Sequence, residues 1–137
     1  MGSSARAGVR ASLGVLLILG VEGCTTATST RARTPPSPVL TQTGRASWYG
    51  QPHHGRVTAS GERFDMHGLT AAHPTLPFGT RLRVVNLNNH REIEVRVNDR
   101  GPWIPGRILD LSYAAARALK AVEAGIIPVR FTVLPGD

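Results

Sequence analysis

Apolar and polar residues alternate with a period of two through much of this chain. Ile93-Glu94-Val95-Arg96-Val97 shows it most clearly. That rhythm predicts a half-buried strand over residues 92–97, stopped by Gly101-Pro102. Residues 81–87 predict a second strand, and Asn88-Asn89-His90 a hairpin turn joining the two. Val129, Phe131 and Val133 alternate within a closing strand over 128–134. Shorter strands are expected at 45–49 (ended by Gly50), at 69–72 and at 107–111. A polar loop carrying Gly55 and Gly61 fills 51–66, and Pro74, Pro77 and Gly79 mark turns. The alanine- and leucine-rich stretch 114–119 predicts a helix capped by Ser112. Five or six short strands with one helix point to a small closed β-barrel.

The N-terminal region has another pattern. Arg6 and Arg10 precede an apolar run over 11–21, too short to span a bilayer. A basic start and a short apolar core predict a secretory signal peptide over 1–23. Cys24, the only cysteine among 137 residues, follows directly in Val21-Glu22-Gly23-Cys24. This stretch resembles a bacterial lipobox, with lipidation expected on Cys24, although Glu22 departs from the usual small or apolar residue. Residues 24–43, rich in Thr, Ser, Pro and Arg, read as an extended tether. Residues 44–137 remain for one compact domain.

Within that domain no cysteine is available for a disulfide. Eleven arginines and Lys120 face eight acids, a basic balance suited to an anionic polymer or membrane surface. A merely solvated basic surface explains the charge equally well. Nucleic acid is not expected for an exported chain.

Several motifs run in order through the domain: Gly44-Arg-Ala-Ser-Trp-Tyr-Gly50, His54-Gly-Arg-Val-Thr-Ala-Ser-Gly-Glu-Arg-Phe-Asp65, Leu69-Thr-Ala-Ala-His73, Leu76-Pro-Phe-Gly-Thr80, Val97-Asn-Asp-Arg-Gly-Pro102 and Gly106-Arg-Ile-Leu-Asp-Leu-Ser112. With these the chain resembles the rare lipoprotein A family of septal-ring lytic transglycosylases. The resemblance implies a mainly β fold, a six-stranded double-psi β-barrel with one or two short helices, preceded by a disordered signal and linker segment. It also implies cleavage of peptidoglycan glycan strands between N-acetylmuramic acid and N-acetylglucosamine, without a cofactor. Many family members carry a glycan-binding SPOR module after the barrel; this chain ends at Asp137, so that module is expected to be absent.

The family's functional residues fall on Glu62, His73 and Asp99. Asp99 is the expected acid and then base, since a lytic transglycosylase needs one such group and no water nucleophile. That role calls for a raised carboxyl pKa, which Glu62 could supply if its loop folds over the strand end, and which Arg100 could oppose. The bland reading of Asp99 is a cap on the Gly101-Pro102 turn. Glu62 is expected to tune Asp99 or to stabilise positive charge at the anomeric carbon; otherwise it is an exposed loop acid. His73 could donate to a carboxylate or sugar hydroxyl, or simply brace the turn before Pro74.

Tyr49, Trp48 and Phe64 are candidate stacking platforms, with Tyr49 favoured because Trp48 should point to the opposite face. Trp103 could line the cleft or plug a surface. Ser47, Thr58, Ser60, Asn98 and Arg100 are expected polar contacts, while Asp110 reads as structural, helping to start the helix. His53 and His54 do not form a metal site, since strand neighbours diverge and no cysteine or carboxylate cluster completes one. The expected partners are glycan strands, a membrane through Cys24 and division-site proteins. The chain is expected to be a monomer anchored in the outer membrane and facing the periplasm. The competing functions are a non-catalytic, expansin-like wall-binding module and a structural lipoprotein.

Overall fold

The computed structural model describes residues 39–136 and, before them, Gly8, Ser12, Gly14, Gly20 and Gly23. Cys24 and most of the expected signal and tether lie outside the described residues. The strands are β1 (Thr41–Tyr49), β2 (Thr70–Ala72), β3 (Arg81–Asn86), β4 (Glu92–Asp99), β5 (Arg107–Ser112) and β6 (Ile127–Val133). One α-helix, α1 (Tyr113–Ala118), and one 3-10 turn (Gln51–His53) complete the elements. The strands close into a barrel in the order β1-β5-β2-β4-β3-β6. The β1–β5 and β2–β4 pairs are parallel. The other contacts around the barrel are antiparallel.

The alternating positions fill the barrel. Leu82, Val84, Val95, Val97, Leu109, Leu111, Val129 and Phe131 belong to one buried cluster. Burying side chains of this size stabilises by about 1.5–3 kcal/mol each relative to exposure. β1 starts at Thr41, earlier than its apolar pattern suggested, because Thr41 and Thr43 pair through main chain with Thr132 and Arg130 of β6. Such pairing asks nothing of the side chains, and β-branched threonine suits it.

Ser112 does cap α1. Its hydroxyl accepts from the Ala115 N–H at 3.2 Å and donates to the Gly68 carbonyl at 2.6 Å. At the other helix end, the Leu119 carbonyl accepts from Nδ2 of Asn86 and of Asn89, at 2.9 and 3.0 Å. The hairpin turn of the sequence therefore also seals a helix terminus, satisfying a carbonyl the helix leaves open. Among the described residues, no helix is long and apolar enough to cross a membrane.

Candidate active site

Ala72 of the short β2 pairs with Asp99 of β4 on one side and Asp110 of β5 on the other. Asp110 in turn pairs with Ser47 of β1. Ser47, Asp110, Ala72 and Asp99 thus form one row across four strands. Their neighbours Ala46, Leu109, Leu111 and Ala71 belong to the core, so the row faces away from it.

A bulge makes this possible for Asp99. Regular pleating would place it on the same face as Val97, two residues earlier. Instead Ala71 pairs with Val97 and Ala72 with Asp99, which leaves Asn98 as the extra residue. The slip turns the Asp99 side chain out of the core face.

The row opens into a cavity of about 450 Å³ lined by Ser47, Trp48, Tyr49, His53, Ala72, Asp99, Arg100, Arg107 and Asp110. Asp99 is half-buried there. Its Oδ1 accepts the Ala59 N–H at 3.0 Å and the Arg100 N–H at 2.8 Å. The loop after β1 therefore does fold over the end of β4, and a further bond from the Ser60 N–H to the Asn98 carbonyl, 3.3 Å, fastens it.

Glu62, carried by that loop, is engaged elsewhere. Its carboxylate takes a two-nitrogen fork from Arg96, at 2.8 and 2.9 Å, and a bond from Asn98 Nδ2 at 2.8 Å. The Arg96 hydrogen bonds, followed by that of Asn98, hold its pKa down to about 2. Glu62 is thus an ionised clasp between loop and β4. Thr58 is buried, and its hydroxyl bonds the Glu62 carbonyl at 2.8 Å and Ser60 Oγ at 2.9 Å. Both residues shape the loop. Asn98 is also buried and bridges to Glu62.

His73 braces the turn that follows β2. Its Nδ1 accepts from the N–H groups of Thr75 and Leu76 at 3.1 and 3.0 Å, and its ring meets Phe131 edge-on. Burial, and secondarily the Arg100 charge, lower its pKa. Its backbone N–H bonds the Asp99 carbonyl at 3.1 Å, which ties the turn to the acid's strand. Arg100 lines the cavity, but its guanidinium donates to the carbonyls of His73 and Leu76 and stacks on Phe78 at 4.0 Å.

Tyr49 lines the cavity with one ring face stacked on Phe64, at 4.4 Å, and its edge against His53. Phe64 is buried beneath it and so forms no sugar platform. The Tyr49 hydroxyl is buried and, among the described residues, without a hydrogen-bond partner. Burial, then the charges of Asp99 and Asp110, push its pKa up, so it remains a donor. Trp48, expected on the opposite face, borders the same cavity while packing on Tyr113 and donating its indole N–H to the Val122 carbonyl. Trp103 stands 74% exposed beside the acid's turn.

Asp110 departs from its expected place. The helix is started by Ser112 alone, while Asp110 faces the cavity. Ser47 Oγ donates to its Oδ1 at 2.5 Å, and Arg107 Nη2 reaches both oxygens at 2.9 and 3.1 Å. The signal in the sequence was its polarity between Leu109 and Leu111. The partner that gives this position meaning, Ser47, lies 63 residues away and is supplied only by the parallel register. His54 Nδ1 accepts from the Met66 N–H at 3.1 Å, and the described residues contain no group of three or more His, Cys, Asp or Glu side chains fit for a metal ion.

This barrel has relatives. The family model described as "Lytic transglycolase" (DPBB_1) matches residues 41–131. The chain belongs to this family. It is 50% identical over 98 residues to the "Endolytic peptidoglycan transglycosylase RlpA" of Vibrio cholerae serotype O1, covering 72% of this chain and 37% of that protein. The Campylobacter jejuni protein of the same name is 51% identical over 94 residues, covering 69% and 34%. The "Probable endolytic peptidoglycan transglycosylase RlpA" of Synechocystis is 58% identical over 83 residues, covering 61% and 26%. The chain thus spans between a quarter and two fifths of these relatives' lengths. Among solved structures, an apo expansin of Clavibacter michiganensis superposes with a TM-score of 0.57 at 27% identity, covering 72% of this chain and 52% of that one. A Streptomyces papain inhibitor gives a TM-score of 0.58 at 24% identity, covering 72% and 98%. The structure and these matches agree on an RlpA-like double-psi β-barrel with six strands.

Proposed function

We propose that this protein is a lytic transglycosylase of the bacterial cell envelope that cleaves peptidoglycan glycan strands internally, in wall remodelling at cell separation. The observation that carries this is Asp99, turned out of the barrel by the bulge and held in the cleft by two backbone N–H groups. The relatives named for this activity support the reading. In the reaction the Asp99 carboxyl protonates the glycosidic oxygen as its bond to the anomeric carbon of N-acetylmuramic acid breaks. The C6 hydroxyl of the same sugar bonds that carbon and returns its proton to Asp99. No water is consumed, and a 1,6-anhydro end results. One acid/base residue suffices, unlike the two-carboxylate hydrolases.

Glu62 and His73 act here by fixing the loop and turn that frame Asp99. Tyr49 and Trp103 border the sugar, while Ser47, Thr58, Ser60, Asn98 and Arg100 maintain the cleft. We also assign lipidation to Cys24, and with it anchoring in the outer membrane. Cys24→Ser should then move the protein to the soluble fraction; continued membrane attachment would sink the lipid claim.

Mass spectrometry of material released from intact and peptide-stripped sacculi tests the activity. Wild-type protein should release 1,6-anhydro-ended products, and Asp99→Asn should lower that release by about 10²–10⁴-fold, the usual worth of a positioned proton donor. Unchanged release by the variant would remove Asp99 from the role. The expansin likeness supports a second reading, a wall-binding barrel without turnover; binding to sacculi with no soluble product would favour it.

A further inference from the structure

The cleft occupies the outer surface of β1, β5, β2 and β4. The other side of the ring is formed by β6 and β3, between β1 and β4. It carries charge that the reaction above leaves unused. We infer that this side is a membrane-docking face: a diagonal of arginines, Arg45, Arg130 and Arg83, binds the headgroups of anionic phospholipids, and Val39 and Leu40 enter the interface beside them. Seated so, the barrel turns its cleft away from the bilayer.

Strand register builds the diagonal. Between β1 and β6, Arg45 pairs with Pro128 and Thr43 with Arg130. Between β6 and β3, Arg130 pairs with Val85 and Thr132 with Arg83. Between β3 and β4, Arg83 pairs with Glu94 and Arg81 with Arg96. Each step to the next strand therefore lands two residues beyond the direct partner, giving Arg45, Arg130, Arg83 and Arg96 in a line. All four are exposed, while their chain neighbours Ala46, Val129, Leu82 and Val95 lie in the core, so the four share the outer face. Diagonal neighbours on antiparallel strands stand about 7–8 Å apart, so the line spans roughly 20–25 Å.

Most of this charge is uncompensated. Arg96 is held by Glu62, and Glu94, level with Arg83, is bridged to Arg81 at 3.2 Å. Among the described residues, Arg45, Arg83 and Arg130 have no ion pair and no side-chain hydrogen bond. Like charges this close repel, and a layer of phosphates reverses the sign of that term. Guanidinium groups suit phosphate because they present paired N–H donors.

The apolar part points to lipid. Val39 and Leu40 continue β1 past Thr41 and are 62% and 51% exposed. The Val133 N–H fastens them to β6 through the Leu40 carbonyl, at 2.9 Å. At the Arg96 end of the line, a cavity of about 400 Å³ is lined in part by Arg96, Val133 and Leu134. Cationic and apolar surface therefore meet along one edge. A soluble polyanion engages the arginines alone, whereas a lipid surface engages both kinds of residue. The chain leading from Cys24 also joins the barrel at this edge, through Val39.

Vesicle partition tests the proposal. The full chain carries Cys24→Ser, so that no lipid of its own anchors it. It is sedimented with vesicles of phosphatidylcholine, or of an equal mixture of phosphatidylcholine and phosphatidylglycerol, and should favour the mixture. Each basic residue at an anionic surface contributes about fivefold, so Arg83→Gln with Arg130→Gln should lower partition onto mixed vesicles by about tenfold or more. Arg83→Lys with Arg130→Lys should keep most of it. Arg56→Gln with Arg117→Gln removes equal charge away from these strands and should change partition by less than about threefold. A change below about threefold in the folded Arg83/Arg130 Gln variant overturns the docking face, as do equal losses from the two charge-matched pairs. If the double Gln variant does not fold, Arg130→Gln alone decides at the same threshold. Weaker binding to sacculi with vesicle partition unchanged would assign the arginines to an anionic wall polymer and overturn the membrane face. Release of anhydro product remains the separate measure of the transglycosylase reading, since none of the substituted arginines lines the cleft.

Discussion

At the scale of single residues, an ionised clasp ties the loop that covers Asp99 to β4. Glu62 is the clearest case. Arg96 and Asn98 hold its carboxylate, and its pKa falls from 4.5 to about 2. A depressed carboxyl pKa means the unfolded chain takes up the proton first. The clasp's contribution is therefore complete above about pH 4.5 and is lost as pH falls from there toward 2. Glu62→Gln should lower the melting temperature at pH 7, and the gap from wild type should close by pH 2. A gap that stays constant with pH would show that the fork contributes nothing. Tyr49 provides the opposite case, a buried hydroxyl without a partner among the described residues. Tyr49→Phe should leave stability unchanged or raise it by up to about 1 kcal/mol in urea unfolding, since nothing bonded is removed. A clear loss of stability would mean the hydroxyl has a partner in solution.

At the scale of elements, most of the barrel was legible because its strands alternate. Ile93, Val95 and Val97 announce β4, and Val129, Phe131 and Val133 announce β6. Local chemistry was equally readable in Ser112, whose small hydroxyl before a run of alanines starts α1. Ser112→Ala should cost about 1–2 kcal/mol, at the upper end for a cap because the same oxygen also serves Gly68. Chemical denaturation measures this directly, and a change below about 0.3 kcal/mol would contradict the cap's importance. The pairing of distant strands was not legible. The row Ser47–Asp110–Ala72–Asp99 depends on parallel registers and on a one-residue bulge at Asn98, and neither leaves a mark in a local pattern. Asp99 stood out locally as an acid between an alternating strand and Gly101-Pro102, and the family resemblance of its motif gave it a role. Asp110 was misplaced because alternation alone gives it an outward face and no neighbour. Glu62 was expected to tune Asp99, yet its carboxylate is taken by Arg96 and Asn98, and the reading of its loop did not include Arg96, which β4 presents.

At the scale of the whole molecule, closure of the barrel joins core and cleft through one histidine. His73 rests its ring edge on Phe131, with centroids 5.5 Å apart at 88°. Its Nδ1 holds the turn at Thr75 and Leu76, its N–H meets the Asp99 carbonyl, and its own carbonyl receives Arg100. Phe131 is fully buried in β6, which pairs with β1 and β3 to complete the ring of strands. A change at Phe131 should therefore reach the acid through His73 as well as weakening the core. Phe131→Ala, with its large cavity, should cost about 3–5 kcal/mol and confuse the two effects. Phe131→Leu separates them. It keeps an apolar side chain of moderate size, so the stability loss should stay near or below about 1.5–2 kcal/mol. Yet it removes the ring that seats His73, and a displacement of about 1 Å at a reacting group can cost on the order of 10²-fold in rate. Anhydro-product release should fall at least tenfold in folded Phe131→Leu, with glycan affinity little changed. Val129→Ala, equally buried in the same strand, should lose stability through its cavity and retain its rate per folded molecule. Equal rates for the two folded variants would show that His73 does not carry the core's geometry to Asp99.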